Sequence, residues 1–250
     1  MSKIAGFYLR SQVTPYVILF IERDGSTYLS SLLMSHPEIE AVYERFAVLK
    51  QKGASAQEQL AWARAFFTPP LVGRKGAVGF KTKLVDVLDL DGFAHLLRQK
   101  GCRVIQMQRR NRVKAVISRI NARRLHDRSG TWNLYKEEDR MPPMTVDLQE
   151  FAQFLKERED ADNQLNEYVR QLALPTLLIT YEELMTGRDA VLSKVFDFLN
   201  VPHRPVEGKT LKHTSDNLRD VVLNFDELRA CYANTPYEGM FDEVLVPAGV

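Results

Sequence analysis

Two cysteines, Cys102 and Cys231, are all that the 250-residue chain contains, and their spacing matches no metal-ligand pattern. That scarcity excludes a disulfide framework and fits a reducing compartment, so a cytoplasmic location is expected. Long apolar runs are also missing. No segment approaches the roughly 18 uninterrupted apolar residues of a membrane-spanning helix, and no membrane association is expected. The N-terminus shows no positively charged start, apolar run and small-residue cleavage site, so no secretory leader is expected. An excess of one charge is missing too: 34 Lys+Arg against 32 Asp+Glu leave a formal net charge of +2. Nothing global therefore argues for binding DNA or a membrane surface. Repeats and low-complexity tracts are absent, and the five histidines show no metal spacing.

What is present is ordinary globular material, 45% hydrophobic and 26% charged, long enough for a single domain spanning 1–250. Five short apolar runs read as buried parallel strands at residues 16–21, 40–43, 77–80, 104–108 and 176–180. Helical patterns lie between them, at 26–35, 56–67, 91–100, 112–125, 146–172, 183–199 and 225–232. His36-Pro37 stops the first, and Gly101 caps the third. Alternating strands and helices predict an α/β fold: a three-layer α/β/α sandwich around a mostly parallel sheet of about five strands. Two loop-rich segments, 53–76 and 126–146, are long enough to act as lids over a site.

In open parallel sheets ligands bind beyond the carboxyl ends of the strands. Those ends deliver Arg23 to Thr27, then Glu44, then Lys81-Thr82-Lys83, then Arg109-Arg110, then Tyr181-Glu182. Cationic and hydroxyl groups dominate, with a carboxylate among them, which suits a polyanionic ligand beside a base. The first turn, Arg23-Asp24-Gly25-Ser26-Thr27-Tyr28, runs from a strand into a helix, where free backbone N–H groups attract phosphate or sulfate. Its Ser and Thr also suit plain helix capping, and the turn alone leaves both readings open. It lacks the Gly-x-x-x-x-Gly-Lys-Ser/Thr pattern, which disfavours a P-loop kinase. On the fourth unit, Arg110 precedes Ser118 by eight residues, and Ser118 lies off the Val113/Ile117/Ile120 stripe, free to face a ligand held by Arg110. Arg112, Lys114, Arg119, Arg123 and Arg124 read as a solvated basic face.

Taken together these residues resemble the sulfotransferase superfamily that uses 3′-phosphoadenosine 5′-phosphosulfate (PAPS), most closely its bacterial and carbohydrate-type members. The family's basic-Ser-Gly-Ser/Thr-Thr turn is similar to Arg23-Asp24-Gly25-Ser26-Thr27. Its Arg-Asn/Asp-Pro-x5-Ser is similar to Arg110-Asn111-Arg112 followed by Ser118. Its Tyr-Glu-Asp/Glu-Leu, with a helix ending Phe-Leu-Gly/Asn-x-Pro, is similar to Tyr181-Glu182-Glu183-Leu184 and Phe198-Leu199-Asn200-Val201-Pro202. The resemblance implies a P-loop-like fold, PAPS as co-substrate, no metal, and a hydroxyl of a sugar or small metabolite as acceptor. It further implies that Arg23 and the turn from Asp24 to Tyr28 hold the phosphosulfate, and that Arg110 and Ser118 hold the 3′-phosphate. Tyr181 would pack near the adenine, a core tyrosine being the alternative, and Lys209 and Lys212 would belong to a flap over the 3′-phosphate. Glu44 would be the general base, with Lys81 or Lys83 at the bridging oxygen.

Three departures stand out. Asp24 replaces the turn's usual serine and must point away from the anion, to cap the helix or pair with Arg23. Arg112 replaces a proline. Lys83 stands where cytosolic small-molecule members carry a catalytic histidine. Asp24 and the absent histidine motivate a second reading, a catalytically inactive nucleotide-binding or regulatory protein on the same fold. An RNA-binding role for the basic run 103–128 ranks last, because aromatics are not interleaved with it. Monomer and homodimer both remain open, and Trp62 and Trp132 read equally as lid packing or acceptor platforms.

Overall fold

In the computed structural model, which describes residues 13–68, 76–134, 136–208 and 215–246, five strands form a single all-parallel sheet in the order β2-β3-β1-β4-β5. The strands are β1 (Thr14–Leu19), β2 (Ile39–Val42), β3 (Ala77–Thr82), β4 (Arg103–Gln108) and β5 (Thr176–Thr180). Each is followed by at least one helix. The helices are α1 (Ser26–Ser35), α2 (Arg45–Gln51), α3 (Ala56–Phe66), α4 (Leu90–Gln99), α5 (Arg112–Ser129), α6 (Leu148–Leu172), α7 (Tyr181–Thr186), α8 (Arg188–Leu199), α9 (Phe225–Ala230) and α10 (Glu238–Asp242).

The strict alternation of β1 explains the layers. Tyr16 and Ile18, with Phe20 beyond the strand, pack against Leu29, Leu32 and Leu33 of α1 and Val195 and Leu199 of α8. Val17 and Leu19, with Ile21 beyond the strand, face the opposite core, built from Phe46 of α2, Ala63 of α3, Phe93 of α4 and Leu165 of α6. A strand buried on both faces must carry apolar residues on both, as β1 does from Tyr16 to Leu19. A third cluster joins Val113, Ile117 and Ile120 of α5 to Phe151 of α6 and to Phe225 and Phe241 near the C-terminus. The described C-terminal residues are thereby packed onto α5 and α6.

The sheet order makes β1 the central strand, with β3 on one side and β4 on the other. The connection after β1 runs to β2 on one side and the connection after β4 runs to β5 on the other, which opens a crevice at their carboxyl ends. The register places Leu19 opposite both Thr82 and Gln106, so the turns after β1, β3 and β4 emerge side by side.

The helix expected over 183–199 is two helices. Thr180 and Glu183 form a reciprocal capping box that starts α7 directly at the end of β5. Gly187 then separates α7 from α8, consistent with its cost of about 1 kcal/mol inside a helix. Helix α2, absent from the sequence reading, is held by its buried Phe46 against the rings of Trp62, Phe80 and Phe93. Among the described residues no helix is long and apolar enough to cross a membrane.

Candidate active site

The turn after β1 adopts a backbone that few residues tolerate. Arg23 has φ 71° and Gly25 φ 83°, both left-handed. A Cβ on Gly25 would lie 2.7 Å from the Tyr181 ring, so glycine is required by space as well as by φ. Helix α1 begins at once with no side-chain cap, which removes plain capping as the role of Ser26 and Thr27. The first amides of a helix have no intrahelical partner, so those of Ser26 to Tyr28 sit at the positive end of α1.

The hydroxyls of Ser26 and Thr27 instead receive a cation. Lys81 Nζ donates to Thr27 Oγ1 at 2.7 Å and to Ser26 Oγ at 3.3 Å. It also pairs with Glu44 Oε1 at 2.9 Å and lies 4.7 Å from the centre of the Phe20 ring. Burial holds the Lys81 ammonium below its ordinary value, against the pull of Glu44. Lys83 approaches the other oxygen of Glu44 at 3.7 Å and pairs with Asp86 at 3.5 Å. The carboxylate at the end of β2 thus sits between two lysines from the end of β3. Lys81 stays beneath the surface, whereas Glu44 and Lys83 line the cavity that opens there.

Across the turn, Arg23 Nε donates to Ser118 Oγ at 2.9 Å and Arg23 Nη1 to the Trp132 carbonyl at 3.2 Å. Burial and the neighbouring Arg109 lower the Arg23 guanidinium to about 10, which leaves it charged at neutral pH. Ser118 is therefore brought to Arg23, whereas its spacing suggested that it would face a ligand held by Arg110. Arg110 stays outside the cavity wall: its side chain is 64% exposed, and its Nε lies 3.7 Å from Glu182. The buried Glu182 carboxylate holds the turn after β4, accepting from the backbone N–H groups of Arg110 and Asn111, both at 3.1 Å. Arg109 is the residue that turns inward, stacked 4.4 Å from the centre of the Tyr181 ring. Strand alternation decides this, because adjacent residues leaving β4 face opposite ways. Tyr181 itself is buried between Arg109 and Gly25 and also lines the cavity.

Asp24 points away from the turn's cavity, though neither to cap α1 nor to pair with Arg23. It is fully buried, accepts from Ile21 N at 3.0 Å, and pairs with Arg158 of α6 at 2.5 Å. Arg158 also pairs with Asp162 at 3.0 Å and donates to the Glu22 carbonyl at 3.3 Å. Asp162 in turn accepts from Arg112 at 2.8 Å. Burial pushes the Asp24 carboxyl up to about 7 against the pull of Arg158 and the Ile21 amide, and the nearby Asp162 adds to the rise. The signal for Arg158 in the sequence was faint: one arginine on an amphipathic helix, 134 residues from its partner.

The basic face of α5 is likewise answered by acids. Arg119 pairs with Glu157, Arg123 with Glu150, and Arg112 with Glu159 as well as Asp162. Lys114, expected in solvent, is buried and lies 3.0 Å from Asp216. A basic run neutralised this way offers little to a nucleic-acid backbone.

The cavity measures about 1030 Å³ and reaches from Arg23, Gly25 to Tyr28, Arg109, Ser118 and Tyr181 to Glu44, Lys83 and Asp86. Helix α6 closes a third side with Glu157, Asp160 and Gln164. Of the two expected lids, 126–146 supplies Trp132 and Asn133 to this wall. No described residue of 53–76 reaches it. The described part of that segment is largely α3, whose Trp62 and Phe66 stack together beside Phe80 of β3, so Trp62 packs against the core. Lys209 and Lys212 lie outside the described residues. No group of three or more potential metal ligands occurs among the described residues.

The chain superposes on a sulfotransferase from Alicyclobacillus acidocaldarius over 91% of its own length and 94% of the other's, with a TM-score of 0.51 and 18% identity. Its fold is that of a sulfotransferase. On this sulfotransferase fold the turn after the central strand and the Glu44–Lys81 pair occupy the crevice that the topology creates. In sequence, the chain is 27% identical to Nodulation protein H of Rhizobium tropici over 247 residues, covering 94% of this chain and 96% of that protein. It is 27% identical to Nodulation protein H of Rhizobium meliloti over 239 residues, covering 91% of this chain and 95% of that protein. No protein-family model matches the chain.

Proposed function

We propose that this protein transfers a sulfuryl group from PAPS to a hydroxyl of a sugar or other small metabolite. One observation carries the reading. Arg23 with the start of α1, Ser118 and Glu44 line one cavity, although they come from three separate parts of the chain. The residues fit an anionic donor on two counts. Gly25 leaves a cradle that a Cβ would fill, and Arg109 Nε is a buried donor without a hydrogen-bond partner among the described residues. The sulfotransferase fold and the resemblance of the three motifs support the choice of PAPS.

In this reading PAPS supplies the sulfuryl group, and the chain supplies position and charge, as in phosphoryl transfer. Arg23 and the amides of Ser26 to Tyr28 hold the oxyanion end, where one preorganised donor is worth about 3–4 kcal/mol of transition-state stabilisation. Lys81, already on Thr27 and Glu44, adds positive charge from beneath the wall where the leaving 5′-phosphate oxygen develops its charge. The acceptor oxygen forms a bond to sulfur as the sulfur–phosphate oxygen bond breaks. Its proton passes to the Glu44 carboxylate, and the electron pair leaves with the phosphate.

The inactive alternative drew its force from Asp24 and from Lys83 in place of a histidine. Asp24 faces Arg158 and leaves the cavity wall free of its charge, which favours the active reading. The test is transfer from labelled PAPS across a panel of sugar and small-metabolite acceptors, alongside binding of adenosine 3′,5′-bisphosphate. Labelled product with a defined acceptor supports the assignment. Binding of the bisphosphate with no transfer to any acceptor would favour the regulatory reading, and no binding would remove both.

A further inference from the structure

Arg109 is a buried cation without an answering anion. It is 6% exposed, yet no described carboxylate comes within 4.0 Å of it, and its Nε has no hydrogen-bond partner among the described residues. Among the described residues its one hydrogen bond is a long one from Nη1 to the Arg23 carbonyl, 3.5 Å. The nearby acids are already engaged: Glu182 accepts two backbone N–H groups, and Asp24 holds Arg158. What Arg109 does have is the face of Tyr181 and an edge on the cavity. Arg23, next to it, also lacks a carboxylate partner among the described residues; it binds a hydroxyl and a carbonyl.

Two neighbouring guanidinium groups in one cavity wall repel each other, and burial weakens the screening that would excuse them. Burial makes both harder to charge, and Arg109 makes Arg23 harder still. Such an arrangement is costly unless a ligand supplies the missing negative charge. The forked donors of arginine match the oxygens of phosphate and sulfate, and stacking on Tyr181 holds the fork flat against the wall.

We propose that Arg109 is a second anion-binding guanidinium, which grips the phosphosulfate end of the donor together with Arg23. Only the identity of that anion rests on the sulfotransferase reading; the need for an oxyanion at this spot does not. Arg109 is not part of the motif whose spacing pointed to Arg110 and Ser118, and it differs from Arg110 by facing the cavity.

Calorimetric titration of wild type and R109M with three probes tests this: adenosine 3′,5′-bisphosphate, adenosine 3′-monophosphate and inorganic pyrophosphate. We expect R109M to lose at least about tenfold in affinity for the bisphosphate and for pyrophosphate, the worth of one charge-assisted contact. Affinity for the 3′-monophosphate should change by less than about twofold, since it lacks the 5′ anion that the contact serves. Pyrophosphate should raise the melting temperature of wild type and leave that of R109M unmoved. Should R109M fail to fold, R109K, which keeps the cation and loses the fork, is expected to give an intermediate loss. Equal losses for all three probes, or unchanged affinity in a folded variant, would overturn the proposal. The two readings separate cleanly. Pyrophosphate binding that depends on Arg109, with no affinity for the bisphosphate, keeps the anion site and removes PAPS. Bisphosphate binding that ignores R109M keeps PAPS and removes the role of Arg109. Wild type that binds none of the three removes both.

Discussion

Arg23 and Ser118 lie 95 residues apart in the chain and 2.9 Å apart in space, the guanidinium Nε donating to the hydroxyl. The contact joins the turn after β1 to helix α5 and fixes where the arginine fork aims. Ser118 thus orients the cation that the proposed function places on the phosphosulfate.

Replacing Ser118 by alanine should leave that fork without its anchor. A hydrogen bond to a charged group is worth about 1.5–3 kcal/mol, so S118A is expected to weaken adenosine 3′,5′-bisphosphate binding by roughly tenfold or more. Stability should fall much less, because Arg23 keeps the Trp132 carbonyl. Calorimetry and a thermal melt on the same preparation separate the two effects.

Gly25 is expected to tolerate no side chain. G25A would put a Cβ at 2.7 Å from the Tyr181 ring on a residue with φ 83°. Strain of this kind costs about 1–3 kcal/mol, and the displaced ring would disturb Arg109 behind it. Denaturant melts should show the loss, and bisphosphate affinity should drop with it; a silent G25A would contradict the geometry.

The Asp24–Arg158 pair predicts opposite outcomes for its two members. Removing the cation in R158M leaves buried carboxylates uncompensated and should cost about 3–5 kcal/mol of stability. D24N should be far milder. Because the folded carboxyl is raised to about 7 above its unfolded value of 3.8, its stabilising contribution is complete below the unfolded value. That contribution is lost as pH climbs through the folded value. Wild type should therefore lose stability relative to D24N between about pH 4 and 7, which paired melts across that window would reveal.

Glu44 separates binding from chemistry. E44Q keeps the shape of the side chain and removes its capacity to take a proton. Turnover is expected to fall by roughly 100- to 10,000-fold. Bisphosphate affinity should stay close to wild type, and transfer of labelled sulfuryl groups under saturating donor is the measurement. Loss of binding in step with turnover would instead mark Glu44 as an anchor for Lys81.

Much of the scaffold was legible in the order of residues. β1 carries apolar side chains on both faces and ends in Arg-Asp-Gly-Ser-Thr, and a parallel βα unit with an anion-competent turn follows from local pattern alone. Helix α1 and strand β5 fall where periodicity and stop signals put them. Helix α2 did not announce itself, because seven residues hold too few periods and depend on Phe46 finding an aromatic cluster.

The site divides along the same line. Short-range sequence determined that positive charge, hydroxyls and one carboxylate collect at the strand ends, since each strand's exit is a local property. Which of Arg109 and Arg110 turns inward, that Ser118 meets Arg23, and that Asp24 is drawn under the turn by Arg158 were decided by tertiary packing. Those outcomes depend on how α5 and α6 settle against β1 and β4, and contacts across 95 or 134 residues leave no periodic trace in the chain.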